Sequence, residues 1–89
     1  MSTLPLNYAI LKLFLTVDEA DTATVMAALQ GTYGRVRAFT PKAVTEALMT
    51  AETNGLLEET RFDLGEDQRL RVFYRATDSG RAMITRYIG

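Results

Sequence analysis

The sequence predicts a mainly α domain with one small β-hairpin (α+β), in the order helix, helix, helix, strand, strand, helix. Three observations carry that reading. Apolar residues recur at helical spacing, with cap and stop residues between them, from Leu4 to Asn54. Behind Gly55 the period changes to alternation on either side of a Gly-acid turn, "LGEDQ". A threonine cap at Thr77 then restarts helical spacing. At 89 residues, the chain reads as one domain spanning 1–89. That length is near the lower end at which a chain buries a workable core unaided.

The first helix is expected from about Leu4 to Val17. Lys12, Thr16 and Ala9 share one narrow side, while nine apolar residues cover an arc of roughly 240°, against the ~100° a surface helix needs. Such a surplus implies a helix sunk deep in a small core, or one that also meets a partner chain. In "DEADTATVMAALQGTYG", Asp21 or Thr22 is the expected N-cap and Gly31 the stop. "GTYGRVRAF" reads as a connection with a short extended piece at "RVRAF".

The third helix is expected over about 40–54. Thr40 is its cap, Pro41 sits at the first helical position where no N–H is needed, and Asn54-Gly55 supplies the left-handed end. Val44, Ala47, Leu48 and Ala51 fall on its apolar side; Lys42, Thr45, Glu46, Met49, Thr50 and Thr53 fall on the other. The hairpin follows over about 57–76. On its second strand Leu70, Val72, Tyr74 and Ala76 face one way, and Arg69, Arg71, Phe73 and Arg75 the other. With a turn near Glu66, Asp63 would lie opposite Arg69 and Arg61 opposite Arg71, with Glu59 diagonal to both arginines. In the last helix Met83 with Tyr87, and Ile84 with Ile88, form i, i+4 apolar pairs.

Composition removes several functions. With no cysteine and no histidine, disulfides, thiolate or imidazole metal sites and the common catalytic triads are excluded. No acid pair stands out as more than surface charge, so no catalytic residue, metal or cofactor is expected. The N-terminal apolar run carries Lys12, lacks a basic leader and a small-residue cleavage site, and is too short to span a bilayer. The expected location is cytoplasmic, with no membrane partner. The net charge of −1 gives no overall nucleic-acid signature, so a local basic face has to decide.

"NGLLEE" leading into the hairpin and "YRATDSGR", Tyr74 to Arg81, leading out resemble the winged helix-turn-helix transcriptional regulators of the PadR and MarR type. The resemblance covers nearly the whole chain, with Ala76 where those families usually carry leucine, and no aromatic-proline step early in "VTEAL". It implies a third helix that enters the major groove of double-stranded DNA and a hairpin wing along the backbone. The DNA-facing residues it implies are Arg35, Arg37, Thr40, Lys42, Thr45, Glu46, Met49, Thr50, Arg69 and Arg71. Between Gly31 and Thr45 there are three cations and no acid, which favours phosphate contact there. Lys42 suits a phosphate or guanine, Glu46 a cytosine amine, and the threonines a phosphate oxygen or thymine methyl. Lys42 and Glu46 also form an i, i+4 pair, so each is equally suited to satisfying the other.

Families of this type build dimers on further long helices, whereas this sequence ends at Gly89 soon after the hairpin. A homodimer is therefore expected to use the first and last helices, through Leu6, Ile10, Leu13, Phe14, Ile84 and Ile88. Against the DNA reading stand an acidic hairpin turn (Asp63, Glu66, Asp67) and a nearly neutral third helix. Those features fit a second reading, a winged-helix module that docks another protein.

Overall fold

The computed structural model describes residues 4–89. It has helices α1 (Leu6–Leu13), α2 (Thr22–Tyr33) and α3 (Pro41–Thr53), strands β1 (Leu57–Leu64) and β2 (Leu70–Ala76), and helix α4 (Asp78–Tyr87). Met1–Thr3, where the apolar N-terminal run begins, lie outside the described residues. The observed order is the expected one, and β1 and β2 form an antiparallel hairpin.

The caps of α3 act as the sequence requires. The Thr40 hydroxyl accepts from the Ala43 amide at 3.1 Å, with Pro41 at the first helical position. At the far end Gly55 takes φ +78°, so its amide bonds the Glu52 carbonyl and the Leu56 amide returns to the Ala51 carbonyl. That double closure satisfies two of the last free carbonyls of the helix, those of Ala51 and Glu52. It turns Leu57 into the core, where it packs with Val44, Leu48 and Ala51. Asp21, not Thr22, caps α2, accepting from the Thr24 amide at 2.8 Å.

Three local expectations are corrected. The first helix stops at Leu13, not Val17, because Phe14, Leu15 and Thr16 bond three residues back in a tightening turn. Gly31 does not stop α2, which runs on to Tyr33 and ends at Gly34. No side chain is needed at Gly31 for packing, and glycine inside a helix is tolerated at a cost of only ~1 kcal/mol. "RVRAF" is not extended: the Val36 amide bonds Tyr33 and the Phe39 amide bonds Val36, giving two consecutive turns. Phe39 is drawn into the core by them and meets Tyr33 at 6.5 Å between ring centroids.

The core is built from all three leading helices, the base of the hairpin and Ile84 of α4. Ile10, Phe14 and Ile84, expected at a dimer interface, are 1%, 0% and 1% exposed. The wide apolar arc of the first helix is thus satisfied in part from inside the chain. Leu6, Leu13 and Ile88 remain half-buried. Among the described residues, no helix is long and apolar enough to cross a membrane.

The hairpin register differs from expectation by two residues. Leu64 pairs with Leu70 and Asp63 with Arg71, while Arg61 faces Phe73. The turn spans Gly65–Arg69, closed by the Gly65 amide on the Arg69 carbonyl, with Gln68 at φ +65° and Asp67 accepting from the Arg69 amide. A shift of two leaves each side chain on its expected face. A bulge at Thr60 does not: Glu59 pairs with Tyr74 on the inner face, away from the arginines, and Glu58 takes the place opposite Arg75. Ala20, between α1 and α2, adds a single bridge to the outer edge of β2 through reciprocal 2.9 Å bonds with Tyr74.

Candidate nucleic-acid interface

The connection from Gly34 to Thr40 brings Arg35 and Arg37 to the start of α3, all exposed. Lys42 is exposed in the first turn of the helix, with Thr45, Glu46, Met49 and Thr50 exposed along the same outward side. Among the described residues, no ion pair reaches Arg35, Arg37 or Lys42, and none joins Lys42 to Glu46. Three cations without an ion-pair partner among the described residues thus lie in the segment that leads into α3 and in its first turn, and the dipole at a helix N-terminus favours an anion. The Thr40 hydroxyl oxygen accepts the cap bond, which leaves its proton free to donate to a partner. Thr45 shares a 2.8 Å bond with the Thr22 hydroxyl, which ties α3 to the start of α2.

The wing arginines are used differently. Arg61 holds Glu19 at 2.8 Å and Asp63 at 2.9 Å; Arg71 holds Asp63 at 2.9 Å; Arg75 holds Glu58 at 2.8 Å. Arg69 at the turn is the loose one, 87% exposed and 3.9 Å from Asp67. The Arg61 guanidinium lies 3.8 Å over the Phe73 ring, and Arg71 covers the same ring at 5.8 Å. That cover is how Phe73, on the outer face, comes to be buried.

The protonation equilibria follow the contacts. The Thr60 hydroxyl and then Arg61 bond the Glu19 carboxylate and hold it below its ordinary range. Glu19 raises the pKa of Arg61 and Glu58 that of Arg75 through the same bonds. Burial raises the Tyr74 phenol, followed by the charges of Glu52 and then Glu59. Glu19, Thr60 and Phe73 were not among the residues singled out from sequence. No pattern marks the Thr60 bulge, and Glu19 meets Arg61 across 42 positions of chain.

No family model and no curated protein matches the sequence. Solved structures do match in shape. PadR of Bacillus subtilis, in complex with operator DNA, superposes with a TM-score of 0.74 at 19% identity, over 93% of this chain and 46% of that one. The fold is the winged helix of PadR-like regulators. A PadR-like transcriptional regulator of Bacillus cereus (TM-score 0.69, 18% identity, 93% and 77% of the two chains) gives the same result. So does a transcriptional regulator of Clostridium thermocellum (0.69, 17%, 93% and 76%). The chain spans just under half the length of the Bacillus subtilis protein, and at such identities the likeness is one of fold.

Proposed function

We propose that the chain is a DNA-binding transcriptional regulator of the PadR-like kind that presents α3 to the major groove of double-stranded DNA. The observation that carries this reading is the unpaired set Arg35, Arg37 and Lys42 around the capped start of α3. A phosphate near this end of the helix finds unpaired cations and the one first-turn amide left free, that of Lys42, and each neutralised phosphate releases condensed counterions. With its start held in this way, α3 lays Thr45, Glu46, Met49 and Thr50 along base edges, where they contribute discrimination more than strength. Arg69 is the wing cation best able to add a backbone contact, since its side chain is nearly all exposed. Arg71 is expected to add little, because Asp63 already holds it. Bacillus subtilis PadR, alike in fold, is in complex with operator DNA, which supports the DNA-binding reading.

A homodimer fits this reading. α1 and α4 pack on each other. Between them they leave Tyr8, Met83 and Tyr87 exposed, beside the half-buried Leu6, Leu13 and Ile88. A second reading, docking of another protein, draws on the inner wing face, where Phe62, Leu64 and Leu70 are each more than 60% exposed. A wing built only for phosphate has no use for that much apolar surface.

Fluorescence anisotropy with mixed-sequence duplex DNA over a range of salt separates the two. Binding that weakens as salt rises, and weakens further in Arg35→Ala and Lys42→Ala, supports the regulator. An absence of binding even at low salt would sink it as a stand-alone DNA binder. Light scattering tests the dimer, which a strict monomer at high concentration removes.

A further inference from the structure

Between the helices and the inner face of the wing runs a groove of about 790 Å³, within the ~300–1,000 Å³ typical of small-ligand sites. Met26 and Met49 wall it on the helix side, Leu70 and Val72 on the wing side. Four carboxylates line it; Asp21 is taken up by Thr24 and Asp67 by the Arg69 amide, which leaves Glu52 at the end of α3 and Glu59, turned to this face by the Thr60 bulge. Neither has an ion-pair partner among the described residues. Two arginines share the rim: Arg71, held by Asp63 at 2.9 Å, and Arg69, 3.9 Å from Asp67 and turned mostly to solvent.

Tyr74 is the independent sign that the groove takes a ligand. It is only 6% exposed, yet it lines the groove, and its hydroxyl makes no hydrogen bond to any described residue. Nor is that oxygen sealed away, since no buried side-chain oxygen or nitrogen is left without a partner. It is therefore accessible, on a residue that lines the groove. Glu52 and Glu59 act on the same hydroxyl, adding to burial in raising its pKa.

We propose that this groove binds an organic ammonium ion carrying an aromatic body. The methionines, Leu70 and Val72 receive the body; the ammonium sits between Glu52 and Glu59, with the Tyr74 oxygen as a neutral acceptor. Met side chains and an aromatic ring adapt to flat apolar groups and to cations. A neutral apolar ligand would strip water from two carboxylates and return nothing to them, and an anion would be repelled. The site does not depend on the DNA-binding reading, and the test is made without DNA.

The probes are 1-naphthylmethylamine, protonated at pH 7, and 1-naphthoate, which match in body and differ in charge. Amide and methyl shifts of the full chain are followed by NMR titration with each. The amine is expected to shift Met26, Met49, Leu70 and Val72, with the anion at least roughly tenfold weaker. Glu52→Gln/Glu59→Gln, which removes only exposed charge, is expected to weaken the amine roughly tenfold while leaving the spectrum folded. Tyr74→Phe keeps the ring and removes the acceptor, with an expected loss of about threefold. The proposal is overturned if both probes bind alike, if the double variant binds the amine as well as the parent does, or if the groove signals do not move.

Discussion

Arg35, Arg37 and Lys42 stand exposed at the start of α3 with no carboxylate held against them among the described residues, whereas Arg61, Arg71 and Arg75 each hold one within 2.9 Å. The two groups have the same size and sign, and the family resemblance implies DNA contact for Arg71 as it does for Arg35, Arg37 and Lys42. Their difference lies in what surrounds them. No acid occurs between Gly31 and Thr45, while the hairpin alternates its arginines with acids that pairing brings opposite or adjacent. The first group keeps its charge available to a partner. The second spends it on covering Phe73 and fastening the wing to the segment before α2. Counting cations therefore overstates what this wing can offer to phosphate.

The comparison breaks most severely if the wing loses its base. A methyl group on Gly80 would sit 1.9 Å from the Leu56 carbonyl oxygen, a backbone atom that cannot turn aside. The same carbonyl accepts the Thr77 amide, and the Thr77 hydroxyl caps α4 on the Gly80 amide at 2.8 Å. Gly80→Ala is expected to cost about 3 kcal/mol, read by thermal or denaturant unfolding; a change under ~0.5 kcal/mol would show that the two segments separate freely. Next comes Phe73→Ala. It removes the ring under Arg61 and Arg71 and is expected to cost about 2 kcal/mol, less than a fully enclosed phenylalanine because its cover is two exposed side chains. If Phe73→Ala leaves stability unchanged, the wing arginines are not organised by that ring and the contrast with the α3 group fails.

These two sites show how unevenly the sequence exposed its structure. The caps of α3 were legible because Thr-Pro and Asn-Gly act on their immediate neighbours, and the face of each wing residue was legible from the two-residue period. The register and the Thr60 bulge were not, because turn geometry at Asp67 and Gln68 sets the first and long-range bonds from Thr60 to Glu19 and Phe73 accompany the second. That bulge also carries Glu59 from the arginine face to the groove. The exposed α3 residues were found from helical spacing, but the neutralisation of Arg71 turned on one cross-strand pairing that spacing does not fix. For α1, the surplus of apolar residues was visible, yet its division between core and surface required the tertiary packing.

A smaller effect sharpens the comparison directly. Arg35→Ala and Lys42→Ala are each expected to reduce the salt dependence of DNA binding by about one counterion, with no loss of thermal stability. Arg71→Ala is expected to do the reverse, lowering stability slightly and leaving the salt slope unchanged. Measured together on one duplex, the three variants separate charge offered to a partner from charge kept by the fold. An equal change in slope for Arg71→Ala would return the wing strand to the DNA surface.

The subtlest expected effect is on pH. Glu19 accepts from Thr60 at 2.6 Å and from Arg61 at 2.8 Å, which lowers its pKa in the folded chain relative to the ordinary 4.5. A carboxylate depressed on folding stabilises the native state above its unfolded pKa, and that contribution is lost as pH falls through the folded value. The wing is therefore expected to loosen from the α1–α2 connection only below about pH 4.5. Side-chain carboxyl shifts of Glu19 followed by NMR give the folded value directly, and Thr60→Val should move it upward because the hydroxyl is the larger of the two causes. A Glu19 that titrates at or above 4.5 in the parent would mean that the Arg61–Glu19 contact does not persist in solution. Arg61 would then be held by Asp63 alone, and the contrast between the two basic groups would weaken at that position.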